Sequence, residues 1–264
     1  MKLAMLATGA ALACAAGTAQ AEQSGTNFIG LGVGYVPVYQ GSSEYRALPV
    51  PLINYHSGNF FISPRAGLPA MGLQTTLAPD WKAGVFVGMA LGRDSSDADR
   101  TKGLDDIDFH GTYGAFVEWA PGPFSLGAAY RQAARSGYGG TLELRATYAA
   151  WQDGANRVNL GASTQWASHD DMQTWYGVTS SQAARSREGL STYSPSSGFK
   201  SAALFATWSH RIDASWSTVT TVGVNTLLGD ARDSPLTERR ANVFGSVGWS
   251  TRSERTRWRR ERDR

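Results

Sequence analysis

The chain has 264 residues, with 25 lysines and arginines, 22 acidic residues and one cysteine. Its isoelectric point of about 9.1 comes from residues 252–264, where seven arginines and three acids give a net charge of +4. The rest of the chain therefore carries −1 of the total charge of +3. A nearly neutral body offers no basic surface to nucleic acid, so we expect no nucleic-acid partner.

Residues 1–21 have the features of a secretory signal peptide. Lys2 supplies the positive start, residues 3–17 form an Ala-rich apolar core, and Ala19 and Ala21 frame a small-x-small cleavage site. We predict cleavage between Ala21 and Glu22. The single cysteine, Cys14, then leaves with the leader, which excludes disulfides, thiol catalysis and cysteine-type zinc sites from the mature chain.

Apolar and polar residues alternate along many segments of about ten residues in the remaining chain. This period of two places alternate side chains on opposite faces of a strand. Segments of about 9–11 such residues are long enough to cross a bilayer when tilted. In one example the apolar residues of a segment share one face: Trp81, Ala83, Val85, Val87, Met89 and Leu91.

The pattern predicts an all-β fold, a transmembrane antiparallel up-and-down β-barrel of about 12 strands over residues 22–250, in the outer membrane of a Gram-negative cell. Outer-membrane lipid is then its first partner. A soluble sandwich or lipocalin-like barrel is the alternative, and it would show fewer ten-residue strands. The predicted strands are 28–38, 48–55, 59–64, 68–77, 81–92, 107–119, 123–134, 139–150, 157–167, 200–210, 215–228 and 241–250.

Short and long connections alternate between these strands, as they do in outer-membrane barrels, which keep short turns in the periplasm and long loops outside. Seven tryptophans lie near predicted strand ends, where an interfacial aromatic belt is expected. The short turns lie near 56–58, 78–80, 120–122, 151–156 and 211–214, and the long loops at 39–47, 93–106, 168–199 and 229–240.

Charged and aromatic residues share the face of the strands predicted to point inward. With a turn centred on Gly137, Arg131 and Glu143 lie directly opposite each other, and we predict a salt bridge worth about 0.2–1 kcal/mol. Mixed charges beside bulky rings predict a plugged or very narrow barrel. The predicted interior includes Lys82, Asp108, Glu118, Arg145, Phe86, Phe116, Phe205 and Phe244.

We predict no catalytic residues, no cofactor and no metal site. An outer-membrane lipid hydrolase needs serine and histidine together with an orienting group, and none of the four histidines (56, 110, 169 and 210) lies in such a spacing. Six aspartates between 94 and 108 lack the order of a calcium loop, and Arg93, Arg100 and Lys102 intersperse them. A solvated loop is the better interpretation.

Several short motifs, spread over residues 28–250, resemble the MipA/OmpV family of outer-membrane proteins. That resemblance implies a barrel that acts as a scaffold, joining a lytic transglycosylase to a bifunctional penicillin-binding synthase. A narrow small-solute channel, a surface adhesin and a lipid hydrolase are the alternatives. The matching motifs are 39–42 with Arg46, 51–55, 60–64, 92–93, 103–108, 176–178, 182–183 and 189–193.

The final segment, residues 251–264, loses the alternation and has Trp258 as its only large apolar side chain. Such a segment buries too little apolar area to offset its ordering entropy, which predicts a disordered basic tail. Members of the family end instead on a strand with a terminal aromatic residue.

The long loops predict the orientation of the barrel. Epitope tags inserted near Ser96 and Ser186 should be labelled on intact cells, because both positions lie in loops predicted to face outward. A tag near Gly122 should be labelled only after the outer membrane is permeabilised. Labelling of Gly122 on intact cells would invert the topology.

Overall fold

A computed structural model describes residues 27–65 and 68–252. The predicted signal peptide, its cleavage site at Ala21 and Glu22, and the tail beyond Arg252 lie outside the described residues. Among the residues described, no helix is long and apolar enough to cross a membrane.

The chain forms a closed antiparallel barrel in which each strand pairs with its neighbours in sequence and the last pairs with the first. The predicted fold class and the number of strands are confirmed. The strands are β1 (Phe28–Pro37), β2 (Tyr45–Ser57), β3 (Phe60–Arg65), β4 (Leu68–Ala78), β5 (Trp81–Ala90), β6 (His110–Trp119), β7 (Phe124–Ala133), β8 (Gly140–Gln152), β9 (Asn156–Ala167), β10 (Gly198–Arg211), β11 (Trp216–Leu227) and β12 (Ala241–Arg252).

Two strand boundaries differ from the prediction in ways that matter. Strand β6 begins at His110 rather than 107, because Ile107 pairs only with Arg93 in an isolated bridge; Asp108 therefore lies in a loop and not inside the barrel. Strand β12 continues through Thr251 and Arg252, which pair with β1. The first two residues of the predicted tail thus belong to the barrel.

Three short α-helices lie in the long connections of the described chain, where no helix was predicted: α1 (His169–Tyr176), α2 (Ser180–Arg185) and α3 (Gly229–Asp233). Each is too short to show a repeated apolar stripe, which is the pattern that identifies a helix in sequence. They all lie at the end of the barrel that carries the long connections, which we call the loop end. The opposite end, with the tight turns and with Asn27 and Arg252, is the turn end.

The outer surface of the barrel is apolar, as the alternation predicts. Ile29, Leu31, Val33 and Tyr35 of β1 are each more than half exposed. Tryptophans concentrate near the turn end, where Trp81 of β5 and Trp119 of β6 stack with ring centroids 5.9 Å apart. A broad apolar band edged with aromatic rings is the surface that a bilayer requires.

The interior is filled by phenylalanines that lie over inward-facing glycines of the neighbouring strand. Phe205 of β10 pairs with Gly161 of β9, and a Cβ added to Gly161 would lie 2.2 Å from its ring. Phe244 stands over Gly223 in the same way, at 2.4 Å. The glycines therefore make the room that the rings occupy, and the predicted plugged interior follows from these pairs.

Between the phenylalanines, charged side chains pair within the lumen. Arg65 Nη1 lies 3.6 Å from Glu118 Oε2, and its guanidinium stands 3.9 Å above the ring of Phe116. Arg145 Nη2 lies 2.8 Å from Glu143 Oε1. Buried ions need such partners because leaving one unpaired in a low-dielectric interior is costly.

The predicted direct pairing of Arg131 with Glu143 is wrong in register. Arg131 faces Thr141, and Glu143 faces Ala129. The hairpin loop is centred one residue before Gly137, because a tight turn closes from Arg135 to Tyr138. A shift of the centre by one residue moves every strand pair by two residues. Since the shift is an even number, both side chains still point inward, and they lie in diagonal positions.

The ring-over-glycine packing can be tested by a double-mutant cycle at Gly161 and Phe205. Gly161→Ala should destabilise the folded barrel by about 1–3 kcal/mol, because the new methyl group and the ring of Phe205 compete for one space. In a Phe205→Ala background the same change should cost far less. Unfolding followed by heat-modified mobility in gels would measure both.

The control for this cycle is Gly154→Ala in the β8–β9 turn, where an added Cβ meets no atom within 4 Å. It should be nearly neutral. An equal loss of stability from Gly161→Ala in the wild-type and Phe205→Ala backgrounds would contradict the packing that the structure shows.

Candidate functional site

Four long connections at the loop end pack together into a cap: β1–β2, β5–β6, β9–β10 and β11–β12. Met172 and Tyr176 of α1 are buried against Leu227 and Ala231, which belong to β11 and α3. A second apolar cluster joins the loops further out, formed by Leu104, Val178, Leu190 and Leu236. The mouth of the barrel is therefore covered by a structure with its own small core.

The acidic loop at 94–108 helps to hold this cap in place. Asp97 pairs with Arg46 of β2 at 3.2 Å, and Asp105 pairs with Arg185 of α2 at 2.8 Å. Asp108 reaches Arg135 of the β7–β8 loop at 2.6 Å. The aspartates thus pair with arginines on separate parts of the chain. In the ranges that the structure describes, no three acidic, histidine or cysteine side chains are grouped to hold a metal ion.

Helix α1 begins where the β7–β8 loop meets the barrel rim. The Ser168 hydroxyl caps the helix by accepting a hydrogen bond from the Asp171 amide at 3.4 Å, and it also accepts one from the Gly140 amide at 3.0 Å. Gly139, at φ +68°, leaves room for the helix, since a Cβ there would lie 2.3 Å from the Asp171 nitrogen. This fit fixes Asp171 in the mouth of the barrel.

Asp171 forms a buried salt bridge with Lys200 of β10. The Lys200 Nζ lies 2.6 Å from Asp171 Oδ1, and both side chains are about nine-tenths buried. The bridge ties the cap to the barrel wall at a point where water has little access.

Arg93 is the most deeply buried cation of the cap, with 4% of its surface exposed. Its Nη1 donates a hydrogen bond to the Trp175 carbonyl at 3.2 Å, and its guanidinium lies 5.7 Å from the ring of Tyr39. The burial that surrounds it lowers the pKa of Arg93. It also raises the pKa of both Tyr39 and Tyr176, so these phenols stay protonated.

A cavity of about 110 Å³ lies between the cap and the upper barrel wall. Among the described residues, three cations reach it, Arg93, Arg131 and Lys200, and Asp171 is the one acidic residue in its lining. Aromatic side chains supply much of the rest, including Tyr39 and Trp175. The cavity combines positive charge with apolar walls, which is the composition of a site for a small anion.

The structure separates the two residues of the predicted interior pair. Arg131 lines this cavity, whereas Glu143 lies deeper beside Arg145. Of the histidines, His110 reaches the cavity, and His56, His169 and His210 do not line it. Sequence reasoning missed Arg93, Asp171 and Lys200 as a group, because they lie in three different segments that only the folded cap brings together.

The turn end has a recess of its own, of about 150 Å³, in the opening of the barrel. Arg157, Arg211 and Arg252 line it together with His210 and Asp153. Arg211 donates to the Gly154 carbonyl, and Arg157 donates to Gln152, so the arginines brace the β8–β9 turn. The recess is accessible and carries a positive charge.

Comparison with known proteins gives a consistent family match. The family model described as "MltA-interacting protein MipA" matches residues 29–252. Two proteins called "MltA-interacting protein", from Escherichia coli strain K12 and from Shigella flexneri, are 27% identical to the chain, over 94% of its length and 97% of theirs.

Solved outer-membrane structures are more distant. A bacterial polysaccharide outer membrane secretin aligns over 86% of the chain and 98% of its own, with 11% identity and a TM-score of 0.42. OprD from Pseudomonas aeruginosa aligns over 85% and 66%, with 10% identity and a TM-score of 0.36. Neither similarity is close enough to inform function.

The buried bridge of the cap gives a testable prediction. Asp171→Asn leaves Lys200 buried without its counter-ion, so the cap should lose about 3–5 kcal/mol of stability. Limited trypsin digestion at Arg185 and Arg187 should then become much faster, while the heat-modified mobility of the barrel is kept. Asp233→Asn is the matched control, because its exposed bridge to Arg232 involves neither cleavage site and an exposed bridge contributes little to stability. Equal digestion of the two variants would contradict a structural role for Asp171.

Proposed function

Because the chain belongs to the family of the MltA-interacting protein MipA, we propose that it is a scaffold for enzymes that cleave and build murein. Its partners in this proposal are a lytic transglycosylase and a bifunctional penicillin-binding protein. The protein itself contributes binding surfaces and performs no catalysis.

The protein is a β-barrel of the bacterial outer membrane. Its twelve strands close on one another, and the apolar side chains of β1, β5 and β12 point outward. In this location the outward rows contact lipid, and one end of the barrel faces the periplasm, where murein lies.

The observation that carries the proposal is the end-to-end match with relatives that are named for an interaction. The match covers 94% of this chain and 97% of the Escherichia coli protein. The family model spans residues 29–252, from β1 to β12, so we expect the surface that the relative uses for binding to have a counterpart here. The name of that relative supports a lytic transglycosylase as the first partner.

The turn end is the surface that we assign to these partners. Asn27 lies there, hydrogen-bonded to the backbone of His56 in β2, and a chain that follows a signal peptide enters the barrel from the periplasm. The cationic recess lined by Arg157 and Arg211 opens on the same side. Its charge favours acidic partners by long-range attraction.

A small-solute channel is the main competing function, and the filled lumen counts against a wide one. Phe61, Phe86 and Phe116 form one buried cluster inside the barrel, and Phe205 and Phe244 belong to another. The cap covers the loop end. We therefore expect conductance in planar bilayers far below that of a general porin; a steady porin-like conductance would favour the channel instead.

The scaffold proposal is tested by direct binding. Purified barrel in detergent should bind a purified lytic transglycosylase from the same organism, and this complex should recruit a bifunctional penicillin-binding protein. Arg157→Glu with Arg211→Glu should weaken the first interaction at least fivefold, since it reverses the charge of the recess. Interferometry on immobilised barrel gives both affinities.

The control is Arg185→Glu with Arg187→Glu, which makes the same charge change at the loop end. It should leave the affinity unchanged, and both double variants should retain the heat-modified mobility of a folded barrel. Wild-type barrel that binds neither enzyme would refute the proposed function, and equal weakening by the two variants would refute the assignment to the turn end.

A further inference from the structure

We propose that the cavity beneath the loop cap binds a small carboxylate, with Arg93 as its main anchor. This inference stands apart from the scaffold function, because it concerns the opposite end of the barrel and a ligand of a different class. It rests on the state of the Arg93 guanidinium and on the charges that surround it.

Arg93 is 96% buried but has no carboxylate of the described residues within salt-bridge distance. The 4% exposure contrasts with the other buried cations of the barrel, since Lys200 bridges Asp171 and Arg65 bridges Glu118. One neutral carbonyl, that of Trp175, accepts from Nη1. The Nε of Arg93 has no hydrogen-bond acceptor within the part of the chain that the structure describes.

A buried guanidinium in this state is costly to the folded protein. Burial of an ion without a counter-ion disfavours the fold, and a buried N–H without an acceptor disfavours it further. The ring of Tyr39 at 5.7 Å offsets only part of this, because a cation–π contact is weaker than a buried salt bridge. An anion in the cavity would supply the missing charge and the missing acceptor together.

The charges around the cavity set the charge of the ligand. Lys200 is neutralised by Asp171 at 2.6 Å. Arg131 lies in the field of two carboxylates, those of Asp171 and Glu143. Arg93 lies in the field of one carboxylate, that of the exposed Asp106, which forms no salt bridge with it. Of the three cations, Arg93 therefore has the least closely paired charge, and one negative charge on the ligand would pair with it.

The volume of the cavity and the residues that line it set the chemical class of the ligand. A space of about 110 Å³ is large enough for several water molecules, which admits a carboxylate on a chain of a few carbon atoms. The planar guanidinium matches the geometry of a carboxylate. Tyr39, Trp175 and Tyr176 line the same cavity and offer apolar contact to such a short chain.

Calorimetric titration of the purified full-length barrel in detergent tests this site. Sodium acetate and sodium lactate are the probes, with ionic strength held constant by chloride, and acetamide is the uncharged match to acetate. Acetate or lactate should bind with a saturable one-site isotherm, and acetamide should not. Inorganic phosphate should bind at least tenfold more weakly than the better carboxylate, because the cavity balances one charge.

Arg93→Gln should weaken carboxylate binding at least tenfold, while Arg185→Gln, an exposed cation of the same cap, should leave it unchanged. Where Arg93→Gln fails to fold, Arg93→Lys keeps the charge without the planar fork and should still lower the affinity. No saturable carboxylate binding to wild type would overturn the proposal. Carboxylate affinity that is unchanged in a folded Arg93 variant, or phosphate binding tighter than carboxylate, would do the same.

Discussion

Every other feature of this protein depends on the closure of the backbone hydrogen bonds between β1 and β12. Eight residue pairs join these two strands, and without them each would present an unpaired edge to lipid. The hydrocarbon of a bilayer has no water to satisfy an open edge, so an isolated sheet cannot cross it. Closure in turn fixes which side chains point inward, and the interior must then be filled from those alone.

The interior meets this demand in two different ways along the barrel axis. In the middle, phenylalanines lie over glycines, and charges are paired, as in Arg145 with Glu143. Near the loop end the pairing of charges changes, because the described residues give the buried Arg93 a hydrogen bond to a carbonyl but no salt bridge. A buried cation without a close counter-ion marks a candidate binding site. The barrel interior is therefore packed in its middle, whereas its rim at the loop end holds a candidate site.

The sequence predicts the barrel well because a strand that faces lipid on one side must alternate. Residues such as Val85 and Val87 have no other way to lie beside acyl chains, so each strand is visible without its neighbours. The hairpin between β7 and β8 is harder, since Gly137 and Gly139 both adopt positive φ and the turn centre depends on their local geometry. With the turn centre that the structure adopts, Arg131 pairs with Thr141 and not with Glu143 as predicted.

The candidate site could not be predicted in the same way. Arg93, Asp171 and Lys200 come from a loop, a short helix and a strand end, and no spacing along the chain connects them. Their grouping follows from the packing of the cap, where Tyr176 of α1 donates a hydrogen bond to Gln40 Oε1 at 2.9 Å. Periodicity reports the environment of a strand, but it carries no information on which loops meet.

The size of the turn end limits what can bind there. From the spacing and tilt of strands, twelve of them enclose a ring about 24 Å across, with an end face of roughly 450 Å². A standard protein interface buries about 800 Å² per partner. The tight turns alone are thus too small a platform for a stable complex with a murein enzyme. A partner bound at the turn end therefore needs further contact area, which the recess beside Arg157 offers.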